Sequence, residues 1–101
     1  MDYSARRDMK GRKPNGGLID ITIQIGIPSE SPDQKSWICP ISVTGLHQNL
    51  GHIHGIDSWQ SITLAQKTIK SLLSAFIKKG GELYVFGEGN AIQIGEINEL
   101  F

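Results

Sequence analysis

Isoleucine occupies every second position from Ile19 to Ile27, with Asp20, Thr22, Gln24 and Gly26 between. Side chains of a strand alternate between its two faces, so this period of two predicts a strand over Leu18 to Ile27, buried on one face and wet on the other. Pro28-Ser29-Glu30-Ser31-Pro32-Asp33 then reads as a turn-rich connection, because proline and short polar residues interrupt pairing and favour turns. A second alternation runs from Ser36 to Thr44, with Trp37, Cys39, Ile41 and Val43 on one face and Ile38, Pro40, Ser42 and Thr44 on the other. Pro40 has no N–H to donate, which places this strand at an edge or bulges it at that residue. Gly45 to Gly51 reads as a hairpin loop and His52 to Ile56 as a short third strand.

The period then changes. Ile62, Ala65, Ile69, Leu72, Leu73, Phe76 and Ile77 recur at three- and four-residue intervals, while Gln66, Lys67, Lys70, Ser71 and Ser74 fill the opposite side. That is one apolar stripe on a helix of about residues 58 to 79. Asp57 stands where a helix N-cap is needed, and Gln60 follows at capping-box spacing. Lys78-Lys79 suits the negative end of the helix dipole, and Gly80-Gly81 supplies a C-cap. Leu83 to Phe86 then reads as a strand, Gly87-Glu88-Gly89-Asn90 as a turn and Ala91 to Ile94 as a partner strand. The expected fold is α+β: an antiparallel sheet of four to five strands with one long α-helix packed on one face, in the order β-β-(β)-α-β-β.

Composition sharpens this. A chain of 101 residues forms one domain and leaves no room for two cores with a cleft between them. Ten Lys+Arg balance ten Asp+Glu, so the global field that grips nucleic acid or an anionic membrane is missing. Beneath that neutrality the charges segregate. Residues 1 to 17 carry five bases against two acids, residues 18 to 79 five against four, and residues 80 to 101 four acids and no base. With few apolar side chains, residues 1–17 read as a flexible basic arm and 18–101 as the folded domain. A single cysteine forms no internal disulfide, and neither an apolar leader segment nor a run near 20 apolar residues is present. A reducing cytoplasm and no membrane are expected.

Three constellations bear on chemistry. His52 and His54, on one side of an extended segment, with Asp57 nearby, form the candidate metal set for Zn or Fe; helix capping is the better account of Asp57. Arg6, Arg7, Lys10, Arg12 and Lys13 are the candidate phosphate contacts, diluted by Asp2 and Asp8 and joined only by Tyr3 as a stacking residue. Cys39 shares a strand face with Trp37, Ile41 and Val43, which reads as a core thiol rather than a nucleophile. No G-x-S-x-G elbow or phosphate-binding G-x-x-x-x-G-K-[ST] occurs, and Ile92 replaces the third glycine of the pattern opened by Gly87 and Gly89. No catalytic residues, cofactor or nucleotide are therefore assigned.

Trp37-Ile38-Cys39-Pro40-Ile41, followed by Gly55-Ile56-Asp57-Ser58-Trp59-Gln60-Ser61-Ile62-Thr63-Leu64-Ala65 and a helix leading to Leu83-Tyr84-Val85-Phe86-Gly87, resembles a family of short bacterial proteins of unassigned function. Their pattern is W-x-C on a strand and G-[apolar]-D-S-x-Q-A-L-x-x-A at the start of the single helix; Ser61-Ile62 stands here for Ala-Leu. The resemblance implies a bacterial source and a small α+β domain, and carries over no activity. The motif residues have architectural readings: Gly55 for a turn, Asp57 for the cap, Gln60 for the box, Trp37 and Cys39 for the core.

The function expected is therefore a non-enzymatic cytosolic domain of accessory or immunity type. It acts by contacting another protein or a second copy of itself, with an edge strand at Pro40 and oppositely charged chain ends as the means. The alternatives are a metal-binding protein or small enzyme built on His52, His54 and Asp57, and a nucleic-acid module built on the basic arm.

Overall fold

The computed structural model describes residues 2–47, 50–85 and 91–101. Its elements are β1 (Tyr3–Arg12), β2 (Leu18–Gly26), β3 (Ser29–Glu30), β4 (Trp37–Thr44), β5 (His52–Gly55), α1 (Ser58–Lys78), β6 (Glu82–Val85) and α2 (Ile94–Leu100). All pairings are antiparallel, and β6, β1, β2 and β4 lie side by side in that order. Trp37 and Ile38 of β4 pair with both β3 and β5, so those two short strands flank β4 on opposite sides. The long helix lies on one face of this sheet, as its single apolar stripe requires.

The alternation expected for β2 and β4 is present. Ile21, Ile23, Ile25, Cys39, Ile41 and Val43 are buried and meet Ser61, Ala65, Ile69 and Leu73 of α1. Ile62, Leu72, Phe76 and Ile77 flank that core at half burial. Ile27, expected on the buried face, is 56% exposed, because the ladder breaks at Gly26.

The break has a specific cause. The β2–β4 register runs from Thr22 opposite Thr44 to Ile25 opposite Ile41, and resumes one residue out of step at Ser29 opposite Ile38. Continued without a shift it would set Gly26 opposite Pro40, which has no N–H for the ladder. The Gly26 carbonyl accepts instead from Cys39 Sγ at 3.6 Å and from Ser4 Oγ at 3.0 Å. A Cβ on Gly26 would lie 3.0 Å from three atoms of the Pro40 ring. Pro40 thus marks a bulge, and β4 is an inner strand rather than an edge.

Two expectations are corrected. The first concerns the flexible arm expected over 1–17: Tyr3–Arg12 form β1, which lies within the sheet between β2 and β6, and Met9 is 3% exposed. Its inward side is otherwise Ala5, Arg7 and Gly11, so it supplies backbone pairing more than apolar surface. Ile19 and Ile21 fill the space a Gly11 side chain would take. The second correction concerns Ala91 to Ile94. Among the described residues one ladder bond forms, from Ile92 N to Leu83 O at 2.7 Å, and the chain then turns into α2. Gln93 N donates to Glu96 Oε1 at 3.0 Å, a capping-box bond that ends strand pairing. The turn expected at Gly87 to Asn90 lies outside the described residues.

Candidate functional site

Most of the motif residues meet where β5 passes into α1. Gly55 is buried, and its role is close approach rather than a turn: a Cβ there would lie 2.5 Å from Ser61 N and 2.9 Å from Ser61 Cα. The helix head therefore rests directly on the strand, with Ser61 fully buried beneath it and its hydroxyl donating to Ser58 O at 2.8 Å. Asp57 Oδ1 accepts from Gln60 N at 2.7 Å, the expected N-cap. Gln60 reaches back as expected, but its Oε1 accepts from Ile56 N at 2.7 Å, one residue before the capping residue. Asp57→Ala removes the first bond, and the expected cost is about 1 kcal/mol, read as a lower midpoint in urea denaturation at unchanged slope.

His52 and His54 do share one face, the wet face of the sheet, opposite Pro40 and Ile38. Both are exposed. His54 Nδ1 lies 3.3 Å from Ser36 Oγ. Asp33, in the same region, is held below the usual carboxylate range chiefly by the hydrogen bond from Ser31 Oγ, then by that from Lys35 N, with a smaller contribution from His54. Its oxygen is thus engaged in ordering the β3–β4 loop, and the carboxylate–imidazole–hydroxyl sequence of a nucleophilic triad is not formed. Among the described residues no three His, Cys, Asp or Glu side chains gather as a metal-binding group, so His52, His54 and Asp57 are not brought together as one. Cys39 is fully buried, and burial pushes its thiol above the ordinary value, the opposite of what activates a nucleophile.

The basic residues of β1 are dispersed over two faces. Arg6 pairs with Asp8 at 3.2 Å, Lys10 pairs with Asp20, and Arg12 stands 3.9 Å from Glu82. Three bases thus face three acids on the wet side, a self-neutralised surface. The Asp8 carboxyl is lowered by its hydrogen bond from Arg6 and then by that from Thr22. Arg7 points the other way, donating to Leu100 O at 3.0 Å with its guanidinium 4.8 Å above the Phe101 ring, and so ties α2 to the sheet. Lys13 lies beyond β1 and is exposed. No strip of free phosphate contacts results.

Two residues without an assigned role at the level of sequence dominate this end of the molecule. Trp59 is 81% exposed and Ile56 78% exposed, on either side of Asp57. Trp59 lies about 100° around α1 from the centre of the buried row Ser61, Ala65, Ile69 and Leu73, beside that row rather than on it. Beside them no described strand pairs with the outer edge of β5. Ile41 N donates to Gly51 O at 3.3 Å, and the alternation of an antiparallel ladder then turns the backbone groups of Ile53 and Gly55 toward β4 and those of His52 and His54 outward. Among the described residues β5 pairs with β4 alone.

The sequence pattern of a domain of unknown function, DUF6968, matches residues 5–94, and the chain belongs to that family. No curated protein and no solved structure matches it. The match includes β1, in keeping with its place in the sheet. No helix among the described residues is long and apolar enough to cross a membrane.

Proposed function

We propose that this member of the DUF6968 family works in the cytoplasm by binding another protein through the head of α1 and the outer edge of β5. The observation that carries the reading is the exposure of Trp59 and Ile56 beside a strand edge with which no described strand pairs. Neither side chain supports the core, and exposed aromatics in such a setting act as anchors at interfaces. The outward N–H and C=O groups of His52 and His54 offer main-chain bonds to an extended segment of the partner, with its apolar side chains on Trp59 and Ile56. The lone buried thiol of Cys39 suits a reducing compartment.

Affinity capture from the source cells with the wild-type chain and with Trp59→Ala/Ile56→Ser tests this. The expected result is a partner retained by the wild type and weakened by about 2 kcal/mol, roughly 30-fold, in the double variant. The double variant should melt like the wild type, since both residues are exposed. Equal retention by the two chains, or no partner and no self-association by light scattering, would overturn the proposal.

A further inference from the structure

The opposite end of the molecule, some 30 Å along α1 by its rise per residue, carries different chemistry. There the β1–β2 turn, the segment after β4 and the last turns of α1 surround a groove of about 640 Å³. Its floor is Leu46, Leu72, Ala75 and Phe76, and its rim carries Lys13, His47 and Lys79. A second, open depression of about 490 Å³ lies on the outer side of α1 among Lys67, Lys70, Ser71, Ser74 and Lys78, and shares Ala75 with the first. None of the described residues lining either groove is acidic, and α1 has no Asp or Glu from Ser58 to Lys78. Among the described residues these five lysines take part in no ion pair, whereas Arg6, Lys10 and Arg12 are each matched. The neutral chain thus concentrates unmatched positive charge at one end. Only Lys78 and Lys79 lie in reach of the negative helix terminus that would offset it.

We infer that these two adjoining surfaces together form the docking site for an extended acidic segment of a partner protein that also carries an aliphatic or aromatic side chain. Charge complementarity selects the sign, and the half-buried floor of Leu46, Leu72 and Phe76 selects the apolar anchor. Length selects the form. Lys67 to Lys79 spans about 18 Å of helix, which an extended peptide covers with about five or six residues. Nucleic acid fits less well. The arginines are engaged elsewhere, and Phe76, the one phenyl ring among the described lining residues, is laid against Gly81 rather than presented for stacking. This surface is separate from Trp59 and Ile56, and it stands whether or not that end binds a partner.

A random heptapeptide display library selected on the full chain, with counter-selection on Lys13→Glu/Lys79→Glu, tests the inference. Both substituted side chains are exposed, so the variant should stay folded and melt cooperatively, with a fall of a few degrees from the lost cation at the negative end of α1. The expected enriched sequences hold two or more acidic residues around a Leu, Ile or Phe. A synthetic peptide from that set should bind at least about tenfold more weakly to the double variant, and should weaken as salt rises from about 50 to about 300 mM. Trp59→Ala should leave its affinity unchanged. Enrichment without acidic residues, no enrichment, equal affinity for the double variant, or tighter binding of a single-stranded oligonucleotide than of the peptide would each overturn it.

Discussion

A chain lacking residues 2–12 is expected to show no cooperative thermal transition by circular dichroism. Those residues form β1, which pairs with β2 along Tyr3 to Arg12 and is the strand to which β6 is joined. Without it β2 gains a bare edge, β6 loses its ladder, and Arg7 no longer anchors Leu100 and Phe101. A domain of this size has a total stability of about 5–15 kcal/mol, and the loss of two ladders with the Met9 contact exceeds what that margin tolerates. The point variant Met9→Ala reports the same contact in a folded chain. Truncating a buried Met costs about 2–5 kcal/mol, a drop on the order of 10–20 °C in Tm for a domain of about 100 residues. A truncated chain that melted cooperatively near the wild-type temperature would restore the reading of residues 1–17 as a dispensable arm.

The second large effect is expected at Gly55. In Gly55→Val the new Cβ would fall 2.5 Å from Ser61 N and 3.0 Å from Gln60 C, and both are backbone atoms. No rotamer change relieves such a contact, so the head of α1 must lift from β5 and uncover Ala65 and its neighbours. A cost of about 3 kcal/mol or more follows, measured as a fall in the midpoint of urea denaturation. Gly95→Ala is the control: a Cβ there meets nothing within 4 Å, and removing glycine from a helix should be neutral or stabilising by about 0.5 kcal/mol. Equal midpoints for wild type and Gly55→Val would show that the helix head is free to move.

Much of the fold could be read before the structure. The period-two isoleucines, the Trp37 to Val43 alternation, the helix stripe and the Asp57 cap are local patterns, and they appear where local pattern places them except at two strand ends, where Ile27 is exposed and Trp37 only half-buried. What escaped detection has a common cause. Strand β1 buries little of its own side-chain surface, so hydrophobic periodicity is silent about it, and its place depends on backbone groups of β2 and β6. The α2 start was legible, since Gln93 and Glu96 have the spacing of a capping box, but the strand reading of Ala91 to Ile94 took precedence. At the candidate site the sequence pointed to the right stretch and partly to the wrong roles. His52, His54 and Asp57 are near in sequence, yet Asp57 is turned into the helix cap and the imidazoles stay on the wet face. Trp59 went unassigned because its exposure depends on which side of α1 meets the sheet.

The charge reading follows the same division. Counting residues gives a basic beginning, an acidic end and a net charge of zero. Folding pairs Arg6, Lys10 and Arg12 with Asp8, Asp20 and Glu82, and leaves lysines far apart in sequence, Lys13, Lys67 and Lys79 among them, around two adjoining surfaces with no acid among their described lining residues. By itself the sequence determined the α+β class, the buried faces of β2 and β4 and the limits of α1, because those follow from side-chain spacing and capping within a few residues. Only the tertiary structure decided that β1 is an inner strand, that Gly55 is needed for helix contact, and which charges and apolar side chains remain open to a partner. Those outcomes depend on groups many residues apart, whose pairing spacing along the chain does not encode.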